Sequence, residues 1–296
     1  MIVGSVDFGG TKLMVGLVDD RGQVLSSRTV PTPVAGGPAA VADEAAALLR
    51  DLAGERLGEL AGVGATVPGL ADGRAGLLRY APAHGWRDVP FAQMLTDRLG
   101  LRTRIANDVN ACALAEQRFG AGLGVANLVW ITVSTGVGGG LVLGGQIYEG
   151  SGIAGEMGHI IVAEDGPLCG CGHRGCLEAV AAGPAIARRA VELGLRAPDA
   201  RTVADLAAAG EPTARQVLDE TAVYLGRAIA LCYNLLDPDL IVLGGGVSPS
   251  LEPLLPRIAE VVAERAILLP GRAPQIRRTA LGYEAALIGA ACLVLP

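Results

Sequence analysis

Two stretches of this chain share one layout, and that repetition restricts the fold more than any other feature. The first, VDFGGTKLMVGLVDD, runs from Val6 to Asp20. Residues 3–8 read as a buried strand, Gly9 and Gly10 as a turn and residues 13–18 as a second strand; after a turn at Asp19 to Gly22, residues 23–30 read as a third. The second stretch, NLVWITVSTGVGGGLVLGGQIYEG, runs from Asn127 to Gly150 and again reads strand, glycine turn, strand, turn, strand. Such self-similarity predicts a duplicated α/β chain with a glycine hairpin in each half.

Gly9, Gly10, Thr11 and Lys12 match neither the Walker spacing nor the dinucleotide spacing, because both of those loops lead into a helix and this one leads into a strand. At a hairpin tip, glycines let backbone N–H groups approach an anion with no Cβ in the way. Thr11 adds a hydroxyl, Lys12 a charge, and Asp7 a carboxylate able to hold Mg²⁺ through water. One such tip alone reads as an ordinary tight turn. The second, Ser134 to Gly140, shifts the reading to a nucleotide gripped by two hairpins.

The remaining pattern is mixed. Residues 38–52 read as a helix with Val41, Ala45, Leu48, Leu49 and Leu52 on one face. Residues 63–67 and 102–106 read as strands, 109–119 as a helix, 240–243 as a strand feeding Gly244-Gly245-Gly246, and 281–295 as a closing helix. Leu218, Ala222, Leu225, Ile229, Cys232 and Leu236 line a long helix that stops before Pro238. The chain has 296 residues, which suits two domains, and 51% of them are apolar but only 3% aromatic, so the core is aliphatic. A formal net charge of −6 leaves no basic footprint for nucleic acid. No apolar run is long enough to span a membrane and the N-terminus reads as a strand, so the expected location is the cytoplasm.

Asn107-Asp108 falls between a strand and a helix. Asp108 there would serve as an N-cap, or as a base at the carboxyl end of a strand, where ligands of such sheets bind. Cys169, Cys171 and Cys176 form C-x-C-x4-C, with His159 ten residues earlier and His173 inside the run. Three thiolates and one imidazole make a closed tetrahedral zinc site, and spacing leaves either histidine as the fourth ligand. A disulfide with a spare thiol suits neither the spacing nor the compartment. A zinc ribbon for nucleic acid would need two cysteine knuckles and basic surroundings. Glu156 and Glu178 flank the cluster and read either as solvated glutamates or as partners for a polyol ligand.

The stretches DFGGTK, TVPG, ANDVNACALAE, TVSTGVGGG, AGEMGH, CGCGHRGCLE and LGGGVS, in this order, resemble the ROK family of sugar kinases and repressors. The resemblance is closest to its bacterial glucokinases. It implies the duplicated actin-like ATPase (ribonuclease H-like) α/β fold, with two domains closing a cleft over Mg-ATP and a hexose. The small domain would be residues 1–105 with helix 284–296 packed back on it, and the large domain residues 106–283. The resemblance further implies that Asp108 deprotonates the sugar 6-hydroxyl, and that Asn107, Glu156, His159 and Glu178 bind other hydroxyls with Gly69 nearby. Gly9, Gly10, Thr11, Lys12, Thr135 and Gly136 would meet the phosphates, and Gly244, Gly245 and Gly246 would lie near the adenosine. His159 would join Cys169, Cys171 and Cys176 on a structural zinc. Glucose would be the substrate, with N-acetylmannosamine or another hexose as the alternative. A sugar-sensing repressor would carry a helix-turn-helix segment ahead of the first hairpin, where six residues precede Asp7 here. A homodimer or tetramer is expected. One position departs from the pattern: relatives commonly read Ala-Pro-Asn before a Trp, whereas APAHGW places Ala83 where a sugar-binding Asn is expected.

Overall fold

A computed structural model describes residues 1–296. In chain order the elements are β1 Ile2–Phe8, β2 Lys12–Asp19, β3 Val24–Pro31, α1 Gly37–Ala53, β4 Val63–Val67, β5 Leu70–Asp72, β6 Leu77–Ala81, β7 Trp86–Val89, α2 Phe91–Leu99, β8 Thr103–Asn107 and α3 Asp108–Phe119. There follow β9 Leu128–Val133, β10 Val137–Leu143, β11 Gln146–Ile147, α4 Leu177–Ala181, α5 Gly183–Glu192, α6 Ala200–Ala208, α7 Pro212–Leu236, β12 Leu240–Gly244, α8 Ser248–Leu251, α9 Leu255–Arg265, β13 Ile276–Arg278 and α10 Ala285–Cys292.

The expected repetition is present in the sheets. The first has the order β3-β2-β1-β4-β8, the second β11-β10-β9-β12-β13. In each, a hairpin pairs antiparallel (β1 with β2, β9 with β10) and the hairpin's first strand then pairs parallel with a later strand (β4, β12). This is the duplicated actin-like arrangement. β4 and β12 are buried at every residue, as central parallel strands covered on both faces must be. A small antiparallel sheet, β5-β6-β7, is an insertion that the sequence pattern left unread.

The chain divides into two compact units: Met1–Gly124 with Gln146–Ala154 and Leu281–Pro296, and Val125–Gly145 with Gly155–Ala280. Within the first unit, α10 lies so close to the sheet that a Cβ added at Gly64 would stand 1.7 Å from the carbonyl oxygen of Ala290. Ser5 on β1, fully buried, donates its hydroxyl to the carbonyl of Leu287. α3 also packs on α10, with the missing side chain of Gly289 leaving room for Ala111. The helix that follows Ile105 therefore belongs to the first unit by its packing. In the second unit, α7 starts at Pro212, with Glu211 accepting from the N–H of Ala214 at 2.5 Å, and stops at Asp237, whose φ of 42° turns the chain before Pro238. No helix is long and apolar enough to cross a membrane.

The close approach of α10 to β4 generates a direct test. Gly64→Ala is expected to destabilise by at least about 3 kcal/mol, because backbone on both sides must move. Gly58→Ala, where an added Cβ meets nothing within 4 Å, is expected to be near neutral. Denaturant midpoints of the two variants check this.

Candidate functional site

Asn107 and Asp108 sit where β8 ends and α3 begins. Asn107, not Asp108, is the N-cap: its Oδ1 accepts from the N–H groups of Val109 at 2.9 Å and Asn110 at 3.2 Å. Its Nδ2 donates to the carbonyl of Gly69 at 2.9 Å and to Asp108 Oδ1 at 2.9 Å. With the cap supplied by its neighbour, Asp108 is not needed to start the helix. It is the first helical residue, and its Oδ1 also accepts from Val109 N–H at 3.0 Å. Gly69 has a φ of 84°, and a Cβ there would lie 2.3 Å from the carbonyl oxygen of Tyr80, so only glycine can present that carbonyl to Asn107.

Asp108 keeps part of its surface open, yet protein packs densely around it. Desolvation, then the charge of Asp7, raises its carboxyl to about 6, against the lowering pull of its hydrogen bonds. Asp7, at the end of β1, is also raised, first by desolvation, and the hydroxyl of Thr66 at 2.6 Å partly offsets this. Thr66 was missed in the sequence; a lone hydroxyl in the otherwise apolar, fully buried strand VGATV was the available signal.

The first hairpin tip, Gly9 to Lys12, is closed by Gly9 N–H donating to the Lys12 carbonyl at 3.0 Å. Thr32, for which the sequence held no signal, ties the tip down: its hydroxyl donates to the Gly9 carbonyl at 2.7 Å and its N–H to the Thr11 carbonyl at 3.0 Å. Gly10, Thr11 and Lys12 are exposed. Lys12 Nζ lies 5.9 Å above the ring of Tyr283, a second unforeseen neighbour.

The second unit carries the other expected residues. Its hairpin tip is closed by Ser134 N–H donating to the Gly136 carbonyl at 2.8 Å, leaving Thr135 exposed. Gly244 to Gly246 run beside this hairpin's root: Val247 N–H donates to Val133 carbonyl at 3.0 Å, and a Cβ on Gly246 would stand 3.5 Å from Ser134 Oγ. Glu178, near the start of α4, accepts from Val137 N–H at 3.1 Å, and its other oxygen lies 3.9 Å from Cys169 Sγ.

His159, Cys169, Cys171 and Cys176 bring one donor atom each to within 4.8 Å of one another, and His173 is outside this group. Cys169 Sγ is 3.7 Å from His159 Nδ1 and Cys171 Sγ is 3.6 Å from Cys176 Sγ. A tetrahedral ion with metal–sulfur bonds of about 2.3 Å needs donor separations of about 3.5–3.8 Å, which these two pairs meet, so the four are candidates to hold a metal ion. All six cysteines are free thiols in this structure. Cys171 is drawn down to about 6, first by the backbone N–H of His173, while burial and the neighbouring thiols push Cys176 up to about 12. The other nitrogen of His159 lies 3.9 Å from Glu156 Oε2, near it but beyond hydrogen-bond distance.

The ROK family model matches residues 3–296, so the chain belongs to the ROK family. It is similar to a glucokinase of Halalkalibacterium halodurans, with 37% identity over 98% of this chain and 93% of that one. It is similar to an N-acetylmannosamine kinase of Citrobacter koseri, with 36% identity over 98% and 97%. Among solved structures, a ROK family glucokinase from Streptomyces griseus in complex with glucose and AMPPNP superposes with a TM-score of 0.80 at 34% identity, covering 99% of both chains.

The Asp108 environment has a measurable signature. Because its folded pKa is raised, the native state holds this proton more tightly than the unfolded chain does. Its contribution to stability is therefore present below the ordinary carboxylate range and is lost as pH rises through about 6. Asp108→Asn keeps the Oδ1 acceptor and removes the charge. It is expected to stabilise the ligand-free protein by up to about 3 kcal/mol above pH 7 and by little near pH 4. Thermal unfolding of both proteins across that range checks it.

Proposed function

We propose that this protein transfers the γ-phosphoryl group of Mg-ATP to the 6-hydroxyl of a hexose, with glucose as its substrate. The observation that carries the reading is Asp108: a carboxylate fixed by Asn107 and Val109 N–H at the end of a sheet strand, and pushed up to about 6 by desolvation and by Asp7. Such a group is largely ionised at neutral pH and still basic enough to take a hydroxyl proton as the oxygen attacks phosphorus. Phosphoryl transfer otherwise depends on positioning and charge neutralisation. In this reading Gly9, Gly10, Thr11 and Lys12 of the first unit and Thr135 and Gly136 of the second receive the phosphates. Asp7 holds Mg²⁺ through water, and Gly244, Gly245 and Gly246 lie near the adenosine.

The hexose takes contacts from Asn107, Gly69 and Asp108 and from Glu156, His159 and Glu178. Asn107 Nδ2 already serves two protein acceptors, so its part includes bracing the base. The metal is zinc, held by His159, Cys169, Cys171 and Cys176, and its work is to fix the loop that carries the sugar-facing glutamates. Thiolate ligands and an ATP substrate suit a cytoplasmic enzyme, and the resemblance favours a homodimer or tetramer. N-acetylmannosamine is the second substrate reading, favoured by a relative of nearly equal similarity. A sugar sensor without catalysis would have no use for a desolvated base such as Asp108.

An ADP-release assay with Mg-ATP across hexoses, N-acetyl sugars included, tests the proposal. Turnover is expected on glucose. Asp108→Ala is expected to lower kcat by roughly a hundred- to ten-thousand-fold while sugar binding survives. In the wild type, kcat/KM is expected to fall about tenfold per pH unit below about 6 as the base protonates. A wild-type protein inert toward every hexose sinks the reading. Elemental analysis is expected to find about one zinc per chain, lost in Cys171→Ser; a metal-free purified protein refutes that part.

A further inference from the structure

The turn from Ala81 to Gly85 carries an imidazole that the preceding roles leave unused. His84 N–H and Gly85 N–H both donate to the Ala81 carbonyl, at 3.1 and 2.9 Å, which fixes the turn between β6 and β7. Its ring lies nearly parallel to that of Phe8, 12° between planes at 6.3 Å, and 5.1 Å from that of Trp86. Phe8 in turn packs on Phe91 at 5.4 Å, so the imidazole sits on an aromatic cluster rather than in solvent. Its Nε2 is buried without a hydrogen-bond partner.

Two neighbours say where that nitrogen faces. The nearest atom to a Cβ placed on Gly10 is His84 Nε2, at 3.8 Å, so the imidazole edge faces Gly10 of the first hairpin tip. The same turn borders the Asp108 site: a Cβ on Gly69 would lie 3.1 Å from Pro82 Cδ and 3.3 Å from Ala81 Cα, and the Gly69 carbonyl accepts from Asn107. His84 therefore stands between the hairpin tip and the residues that brace the base. A buried nitrogen lacking a partner is a cost to the free protein that an apolar side chain of similar size would avoid. Violations of this kind concentrate where a ligand restores the missing bond.

We propose that His84 is a further phosphoryl-binding residue, its Nε2–H donating to the γ-phosphate of ATP when the nucleotide occupies the Gly9-to-Lys12 tip. The proposal rests on the reading that this tip receives the phosphates. Gly10 is part of the device, because any side chain there would stand between the imidazole and the anion. Hydrogen bonds to a charged oxygen are about twice as strong as neutral ones, so one such bond suffices to redeem the buried donor.

The test uses His84→Leu, which fills the site without a donor, and His84→Gln, whose amide nitrogen reaches the same position. For each, the melting temperature is measured alone, with ADP and with a non-hydrolysable ATP analogue, and steady-state constants are measured on glucose. In His84→Leu the ligand-free melting temperature is expected to hold or rise. Its stabilisation by the ATP analogue is expected to shrink while that by ADP stays. The same variant should lose about ten- to a hundredfold in kcat/KM for ATP with the hexose KM unchanged, and His84→Gln should recover most of this. Equal analogue stabilisation and kcat/KM in wild type and His84→Leu overturn the proposal, as does a loss confined to the hexose KM. A wild type that the ATP analogue fails to stabilise overturns the underlying reading of the hairpin instead; stabilisation that depends on Lys12 but not on His84 overturns only the role of His84.

Discussion

Desolvating Asp108 within reach of the charge of Asp7 is the constraint around which the first unit is arranged. Burial raises the cost of ionising both carboxyls, and the charge of Asp7 raises that of Asp108 further. The surrounding donors limit that cost without cancelling it. Thr66 serves Asp7, while Asn107 and Val109 N–H serve Asp108. Asn107 does this while capping α3 and holding the Gly69 carbonyl, so one amide fixes a helix start, a turn and an acid at once. Cys112, one turn along α3, feels the same field: its thiol is raised well above its ordinary value, first by burial and then by Asp108 and Asp7. It stays a neutral packing group.

The duplicated sheet explains why both glycine tips exist. In each half the antiparallel hairpin is anchored by a buried parallel strand against its first strand, so the tip projects from a rigid base. The tips are then closed by one backbone hydrogen bond each, Gly9 to Lys12 and Ser134 to Gly136, which leaves the intervening residues exposed. A helix following the loop would add its own unpaired first-turn N–H groups to an anion site, and a strand does not. Here the anion-facing groups are those of the exposed tip itself, Gly10, Thr11 and Lys12, which is the physical difference from the helix-leading phosphate loops.

Much of this was legible because it is written locally. Period-two and all-apolar runs gave β1 to β4, β8 and β12 to within a residue or two, and the glycine pairs gave the hairpin layout of β9 to β11, while the edge strand β13 went unread. The three cysteines and two histidines were legible as a cluster, and the fold sets Nδ1 of His159 3.7 Å from Cys169 Sγ and Nδ1 of His173 3.5 Å from Cys171 Sγ. The cap was misplaced by one residue: Asp and Asn both cap well, and only the backbone direction at residue 107 decides between them. What stayed hidden was long-range. Thr32, Tyr283 and the burial of His84 Nε2 arise from strands and turns brought together by the fold, and nothing near them in sequence marks them. The insertion β5-β6-β7 escaped because its strands are short and one, LLRYA, alternates poorly.

Glu178 links the metal loop to the rest of the second unit. One oxygen accepts from Val137 N–H at the base of the hairpin, and the other lies against Cys169. The carboxylate also stands 2.5 Å from where a side chain on Gly136 would begin, so that position must remain glycine for Glu178 to reach the hairpin. A metal holding the cysteines in place would thereby limit the freedom of Glu178, and through Val137 that of the tip. On the other flank, Arg227 of α7 donates to the Val162 carbonyl at 2.7 Å, and Val162 N–H donates to Gly175 beside Cys176, so the loop is tied to the long helix as well. Cys169 and Cys176 are buried but His159 and Cys171 are exposed, so burial fixes only half of the cluster's donor set. Cross-linking by an ion is the means its donor set is suited to.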